Sequence, residues 1–301
     1  MTAPRVCLID SSIYIFRAWF SMPDQWHHKD GWSLNAVYGY TRFLLEFLET
    51  SRPDHCAAAF DESLGSCFRN EISPSYKSSR ELPDEALAFQ LKACRELTEH
   101  LGIACFGGPR YEADDYLATL GRLYRERGIA VSVLTRDKDL GPILQGPGDL
   151  WWDYAGGVTL DAAGFTEKFG VTPDQFADYL ALVGDPIDDI PGVPGVGAKT
   201  GVKLLQSFGN LQQLGEKLDQ VGASSIRGAA RIQANLVEHW QQVLIARQLT
   251  GLEEHIPSLS VPFDFVLTHE ALANTEAYLA DMNLSGPLTR RCQSLQKSLL
   301  Q

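Results

Sequence analysis

The stretch IACFGGPRYEADDYLATLGRLYRERGIAVSVLTRDKDL, residues 103–140, decides the fold. A short apolar run, IACF (103–106), reads as a strand. Glu112, Asp114 and Asp115 then open a helix running from about 114 to 127, which Gly128 stops. A second apolar run, VSVLT (131–135), reads as the next strand, and Asp137 and Asp139 follow it directly. Strand, helix and strand in this order point to a mostly parallel sheet with helical crossovers, and carboxylates follow both strands.

Working outward, VCLID (6–10), CAAAF (56–60) and LWWDY (150–154) read as further strands, with helices between them. A helix over 84–101 is capped by Asp84, carries the stripe Leu87, Leu91, Cys94, Leu97 and Leu101, and stops at Gly102. From about 160 helices take over: 172–183, opened by Thr172-Pro173-Asp174, then 228–249 and 269–300. The predicted fold class is α/β: a mostly parallel sheet covered on both faces, followed by a helical region. The predicted division is an α/β core over 1–170 and a helical region over 171–301.

In such sheets ligands bind beyond the carboxyl ends of the strands. Asp10 closes its strand, and Asp61 follows CAAAF by one residue. With Glu112, Asp114, Asp115, Asp137, Asp139, Asp185 and Asp188 they make nine carboxylates directed to one edge. Like charges gathered so closely require cations, and an all-oxygen set suits Mg²⁺, with Mn²⁺ as a substitute. Two such ions about 4 Å apart clamp both oxygens of a phosphoryl displacement. Each cluster alone has an ordinary reading: an acidic helix start, a polar loop, an Asp- and Pro-rich turn. Their coincidence points to a two-metal nuclease. The net charge of −12 does not exclude an anionic substrate, because these nine side chains account for three quarters of it. A phosphodiester approaching them needs cations of its own, and Arg69, Lys77 and Arg80 are the candidates. Arg17 lies one helical turn beyond Asp10 and can assist. Phe16 and Tyr76 can contact DNA, Phe16 by stacking on a base.

Between Asp61 and Pro83 the chain is polar and poor in core residues, and reads as a mobile segment beside the active edge. The stretch IPGVPGVGAKTGVKLL (190–205) reads as a helix–hairpin–helix spanning about 184–206. Gly192, Gly195 and Gly197 let backbone approach a phosphate, the next helix offers free N–H groups, and Thr200, Lys199 and Lys203 lie on it. It is not a P-loop, since Ala198 separates Gly197 from Lys199. The opening Met1-Thr2-Ala3-Pro4-Arg5 shows no signal-peptide pattern, and no run reaches the roughly 20 apolar residues of a membrane span. Six cysteines without a CxxC pair fit reduced thiols, hence a cytoplasmic protein. Trp151 and Trp152 read as sheet core, and Asp153 as a carboxylate without a partner.

Taken in order, LIDSSIYIFRAWF, FDESLGSCFRNEISPSYKSSRELPDE, YEADD, TRDKDL and GDPIDDIPGVPGVGAKT resemble the 5′ nuclease domain of bacterial DNA polymerase I, of the flap endonuclease superfamily. The resemblance runs from about residue 5 to 250. It implies Mg²⁺-dependent 5′-flap cleavage and 5′→3′ exonucleolysis on DNA with a flap, nick or free 5′ end, in replication and repair. It implies a first ion at Asp10, Asp61, Glu112 and Asp114. It implies a second at Asp137, Asp139 and Asp185, with Asp115 and Asp188 in outer support. It further implies that Lys77 and Arg69 act on the scissile phosphate and that a helical arch occupies about 62–90. A K⁺ would be held by the backbone carbonyls of Leu182, Val183, Pro191, Val193 and Val196. A stand-alone monomer is expected. The sequence departs from the family at Ser11 and Arg136, where glycine is usual, at Asp189, where asparagine is usual, and at Gly141-Pro142. The competing readings are a non-catalytic branched-DNA-binding protein and a related ribonuclease. A haloacid-dehalogenase-like phosphatase would want Asp two residues after Asp10, where Ser12 stands.

Overall fold

The computed structural model describes residues 4–262 and 264–300; residues 1–3, which carry part of the reading of the chain's start, lie outside it. The first half holds β1 (Arg5–Asp10), α1 (Ser11–Ser21), α2 (Asn35–Ser51), β2 (His55–Ala59), α3 (Phe68–Ile72), α4 (Glu85–His100), β3 (Ala104–Phe106), α5 (Ala113–Arg125), β4 (Ala130–Leu134), β5 (Leu150–Asp153) and β6 (Val158–Leu160). Helices follow: α6 (Ala162–Phe169), α7 (Phe176–Val183), α8 (Ala198–Phe208), α9 (Leu211–Gly215), α10 (Ala229–Thr250), α11 (His269–Asp281) and α12 (Pro287–Ser298).

The strands form one sheet in the order β3-β2-β1-β4-β5-β6. All neighbours are parallel except β5 and β6. The sheet is the expected one, with helices on both faces. Side-chain alternation divides the core in two. Val6 and Leu8 of β1 point to the face covered by α5, α7, α8 and α10, and Cys7 and Ile9 to the face covered by α1, α2 and α4. The cysteines are unpaired; five are buried and Cys105 is half-buried. Among the described residues no helix is long and apolar enough to cross a membrane.

Four expectations change. The antiparallel β6 is additional; Asp153 accepts the Gly156 amide (2.8 Å) at the turn leading into it. The segment read as one helix, 269–300, is two, because Asn283 (φ 57°) and Gly286 (φ 110°) take left-handed backbone between them. Both helices, α11 and α12, pack on the α2–α4 face: Leu272, Leu279, Leu288, Cys292 and Leu295 join its core. The stretch expected as an arch over 62–90 is helical only at α3 and from α4 onward. It is anchored on the site rather than free. Asp153, finally, is not alone: Arg136 pairs with it (3.2 Å), which turns that extra cation away from the carboxylate edge.

Two other departures, Gly141 and Asp189, have local reasons. Gly141 lies against the Phe165 ring, where any Cβ would collide. Asp189 adopts φ 55°, a conformation that Asn and Asp tolerate, and its carboxylate accepts the Ser79 amide (2.8 Å).

Candidate active site

The carboxyl ends of β2, β1 and β4 lie side by side, with Asp10 in register with Ala59 and Ile9 with Leu134. Chain continuity therefore brings Asp10, Asp61 and Asp137 to one edge. The start of α5 adds Glu112 and Asp114, and the hairpin after α7 adds Asp185 and Asp188. All of these, with Asp139, Lys77, Arg80, Lys138 and Phe16, line one cleft of about 280 Å³.

Local hydrogen bonds fix most of these side chains. Thr135 Oγ1 donates to Asp10 Oδ2 (2.8 Å). Asp61 Oδ1 accepts from the Ser63 hydroxyl (2.9 Å). Asp137 caps a short turn by accepting the Asp139 amide (2.9 Å), and Asp185 caps the next by accepting the Ile187 amide (2.9 Å). These bonds occupy one oxygen of each group and aim the other.

Burial and like charge determine the electrostatics. Asp10 is held up at about 7, chiefly by desolvation, with Asp137 and Asp61 adding repulsion against the Thr135 bond. Asp139 is likewise raised to about 7 by burial and by Asp137, against the pull of Lys138. Asp114 stands well above the usual carboxylate range, from burial first and then from Asp137, Asp10 and Glu112. Burial opposes the charge on Glu112 too, but Lys77 and Arg69 outweigh it and hold this carboxyl low. An edge whose members resist joint ionisation is one that cations stabilise.

The cations present are the protein's own. Lys77 Nζ is 2.6 Å from Glu112 Oε1 and 3.8 Å from Asp188 Oδ2. Lys138 Nζ is 2.9 Å from Asp139 Oδ1 and 3.3 Å from Asp185 Oδ2. Arg80 pairs with Asp188 (2.6 Å). The all-oxygen donor set fits hard divalent ions. Among the described residues, though, no three such side chains converge on one point as they stand, and lysine ammoniums bridge two of the pairs, Glu112 with Asp188 and Asp139 with Asp185. Lys138 was missed by the sequence reading; only its position between two carboxylates signalled it.

Three predicted contacts with substrate are placed otherwise. Arg69 is 1% exposed: it donates to both oxygens of Asp115 (2.7 Å each) and to the carbonyls of Leu249 (2.9 Å) and Gly251 (2.6 Å). A guanidinium so committed, though it borders the cleft, ties α3 to the start of α5 and the end of α10. Asp115, fully buried, also accepts the Glu112 (3.0 Å) and Glu253 (2.9 Å) amides, so it has no oxygen left for an ion. Tyr76 is 3% exposed and lies in the cleft wall with its hydroxyl donating to Glu112 (3.1 Å). Arg17 is exposed but lies on the opposite side of α1, facing Arg42 and Tyr154, whereas Phe16 faces the cleft.

The segment over the cleft is tied down at several points. The Lys77 amide donates to Asp188 O (3.1 Å) with Lys77 at φ 52°, and the Ser79 amide donates to Asp189. Polar composition conceals such anchors, which is why the sequence read as mobile there.

Beside the cleft, the hairpin after α7 crosses itself closely. A Cβ on Gly184 would strike Gly192 and Ile190 O (2.8 Å), and one on Gly192 would strike the Val183 carbonyl. Val193 N donates to Leu182 O (2.9 Å), and Val196 N to Val193 O (2.9 Å). Ile190, Val193 and Val196 are buried and anchor the turn, and Pro191 is exposed. Gly195 provides a left-handed turn (φ 81°), Gly197 faces open space, and Lys199 and Lys203 of α8 are exposed, with Thr200 half-buried.

Comparisons with known proteins agree with this architecture. Residues 5–170 match the family model of the 5′-3′ exonuclease N-terminal resolvase-like domain, and residues 171–273 that of the 5′-3′ exonuclease C-terminal SAM fold. DNA polymerase I of Mycobacterium tuberculosis is 34% identical over 265 residues, covering 86% of this chain and 28% of the relative. DNA polymerase I of Bacillus caldotenax is 33% identical over 258 residues, covering 84% and 28%. The chain thus spans under a third of the length of these relatives. Among solved structures, T5 5′-exonuclease with bound zinc superposes with a TM-score of 0.69 at 18% identity, covering 98% of both chains. The catalytic core of Rad2 in complex with DNA substrate superposes at 0.61 and 17%, covering 97% and 91%. At such identities these two structures speak for the fold.

Proposed function

The chain belongs to the 5′-3′ exonuclease family, and on that premise we propose that it is a divalent-ion-dependent 5′ nuclease of DNA, cutting 5′ flaps and trimming from nicks and free 5′ ends. The observation that carries the reading is the meeting of acidic side chains from five separate segments with Lys77 in one cleft at the carboxyl edge of a parallel sheet.

When bound, Mg²⁺ or Mn²⁺ supplies charge neutralisation and an acidified water. Asp10, Asp61, Glu112 and Asp114 would hold one ion, and Asp137, Asp139 and Asp185 the other, with Asp188 in support. Thr135 and turn amides occupy one oxygen each of Asp10, Asp137 and Asp185, which leaves the other available to an ion. Lys77 and Arg80 are the cations within reach of a phosphodiester there. On its arrival their bonds to Glu112 and Asp188 exchange for bonds to the phosphate, which offsets developing oxyanion charge. Phe16, 37% exposed at the cleft, offers a ring for a base. Arg69 and Asp115 position the segment without touching substrate.

Residues 1–170 would then form the cutting core, and the hairpin at 184–206 would grip duplex phosphates through Gly195, Gly197, Lys199, Thr200 and Lys203. Gly192 serves the backbone crossing instead. A K⁺ at the hairpin would use the carbonyls of Leu182, Val183, Pro191, Val193 and Val196. Of these, Leu182 and Val193 already accept one amide each. Action as a cytoplasmic monomer in replication and repair completes the proposal. A 5′-labelled flap DNA with Mg²⁺ and with EDTA, beside blunt duplex and an RNA flap, tests it. Mg²⁺-dependent release of a product cut near the junction is expected. Binding without cleavage in Mg²⁺ or Mn²⁺ would favour the non-catalytic module.

A further inference from the structure

Among the described residues lining the cleft, Lys138 is the cation that does not come from the segment between Asp61 and Pro83, which supplies Arg69, Lys77 and Arg80. Its backbone starts the tight turn at 138–143, which Asp137 caps through the Asp139 amide. The backbone is therefore fixed, and only the four-carbon stem can move. Its ammonium donates to Asp139 Oδ1 (2.9 Å) and Asp185 Oδ2 (3.3 Å). Asp185 has little alternative: its side chain is 9% exposed, and its other oxygen is occupied by the Ile187 amide. The oxygen that faces the cleft is the one Lys138 uses. The Lys138 side chain, at 42% exposed, has open solvent to swing into.

An ammonium and a divalent ion cannot share these oxygens, since both need direct contact and they repel each other. We infer that Lys138 is a built-in counter-ion of the Asp139–Asp185 pair, which competes with a divalent cation for it and sets the concentration at which this half of the cleft fills. The inference rests on the reading of the cleft as a divalent-ion site. It makes Lys138 a positioning residue, because it acts through two carboxylates rather than on substrate.

The test is Mn²⁺ titration by calorimetry of the full chain without DNA, for wild type, K138M, K138Q, K138R and K217M. Methionine keeps the length of the stem and removes the charge; glutamine guards against misfolding of K138M. K217M removes one exposed positive charge remote from the cleft. K138M and K138Q are expected to bind Mn²⁺ on the order of tenfold more tightly, the ratio that about 1.4 kcal/mol of relieved competition gives. K138R and K217M should stay at or above the wild-type Kd. In EDTA, K138M should melt below wild type and gain more from added Mn²⁺. Unchanged or weaker Mn²⁺ binding by K138M and K138Q overturns the inference, as does an equal gain in K217M. Wild-type protein that binds Mn²⁺ yet cuts no DNA would defeat the nuclease reading, while the titration would still decide the role of Lys138.

Discussion

Arg69 and Asp115 form a two-pronged ion pair, 2.7 Å at each contact, sealed from solvent at 1% and 0% exposure. The pair joins the segment over the cleft to the start of α5, so it is structural although it lies among candidate catalytic groups. Removing one partner strands a buried charge. R69M or D115L alone should cost about 3–5 kcal/mol of unfolding free energy, and the R69M/D115L pair less than the two singles summed. Urea denaturation of the three variants measures this. Singles that lose under about 1 kcal/mol would mean that the pair is not buried in solution.

Asp114, at the start of α5, and Asp185, in the hairpin after α7, both line the cleft. D114N and D185N should each lower the cleavage rate by roughly 10³-fold, the scale of several kcal/mol of lost charge stabilisation. Flap-DNA binding should stay within a few-fold of wild type. Cleavage near the wild-type rate in either variant would remove that residue from the ion-binding set.

Lys77 and Arg80 predict different losses. K77M should reduce kcat by roughly 10²- to 10³-fold with little change in KM, as expected of a cation aimed at developing charge. Arg80, exposed at the rim, should act mainly on KM and its salt dependence. Single-turnover rates beside binding isotherms separate the two, and a K77M defect confined to KM would contradict the assignment.

The raised Asp10 and Asp139 make metal-free stability depend on pH in an unusual direction. Their folded values, about 7, exceed the ordinary carboxylate value, so between roughly pH 4 and 7 the folded chain holds more protons than the unfolded one. Stability contributed by these groups is therefore present at low pH and lost as pH rises through 7. In EDTA the melting temperature should fall from pH 5.5 to 8, and saturating Mg²⁺ should flatten or reverse the slope. A melting temperature that rises over this range in EDTA would show that these carboxyls ionise freely.

Gly192 passes so close to the Val183 carbonyl that G192A forces the hairpin apart. The expected result is a duplex affinity at least tenfold weaker, with the sheet core still folded by circular dichroism. An alanine variant with intact affinity would separate the hairpin from duplex binding.

The sequence revealed five of the six strands, because a parallel sheet buries short, continuous apolar runs that turn residues set off. VTL (158–160) escaped because it is short, carries an exposed Val158 and gains its strand character only by pairing with β5. The convergence of the carboxylates was legible from strand ends, a property of topology rather than of side-chain detail. The commitments of Arg69, Tyr76 and Lys138 were not. Charge type says what a residue can bind, whereas distant partners such as Asp115, the Leu249 carbonyl or Asp185 decide what it does bind. The anchors of the segment between Asp61 and Pro83 were hidden for the same reason, since polar contacts such as Lys77–Glu112 and Arg80–Asp188 hold it where apolar contacts are scarce.

The return of α11 and α12 to the α2–α4 face, with α7, α8 and α10 packed on the other face, clasps the sheet from both sides. On the proposed reading, a duplex held by the hairpin would meet an anchor packed on the sheet itself, so it could neither pivot nor slide far relative to the carboxylate edge. The distance between grip and cut would then be set by the backbone, as a ruler of fixed length.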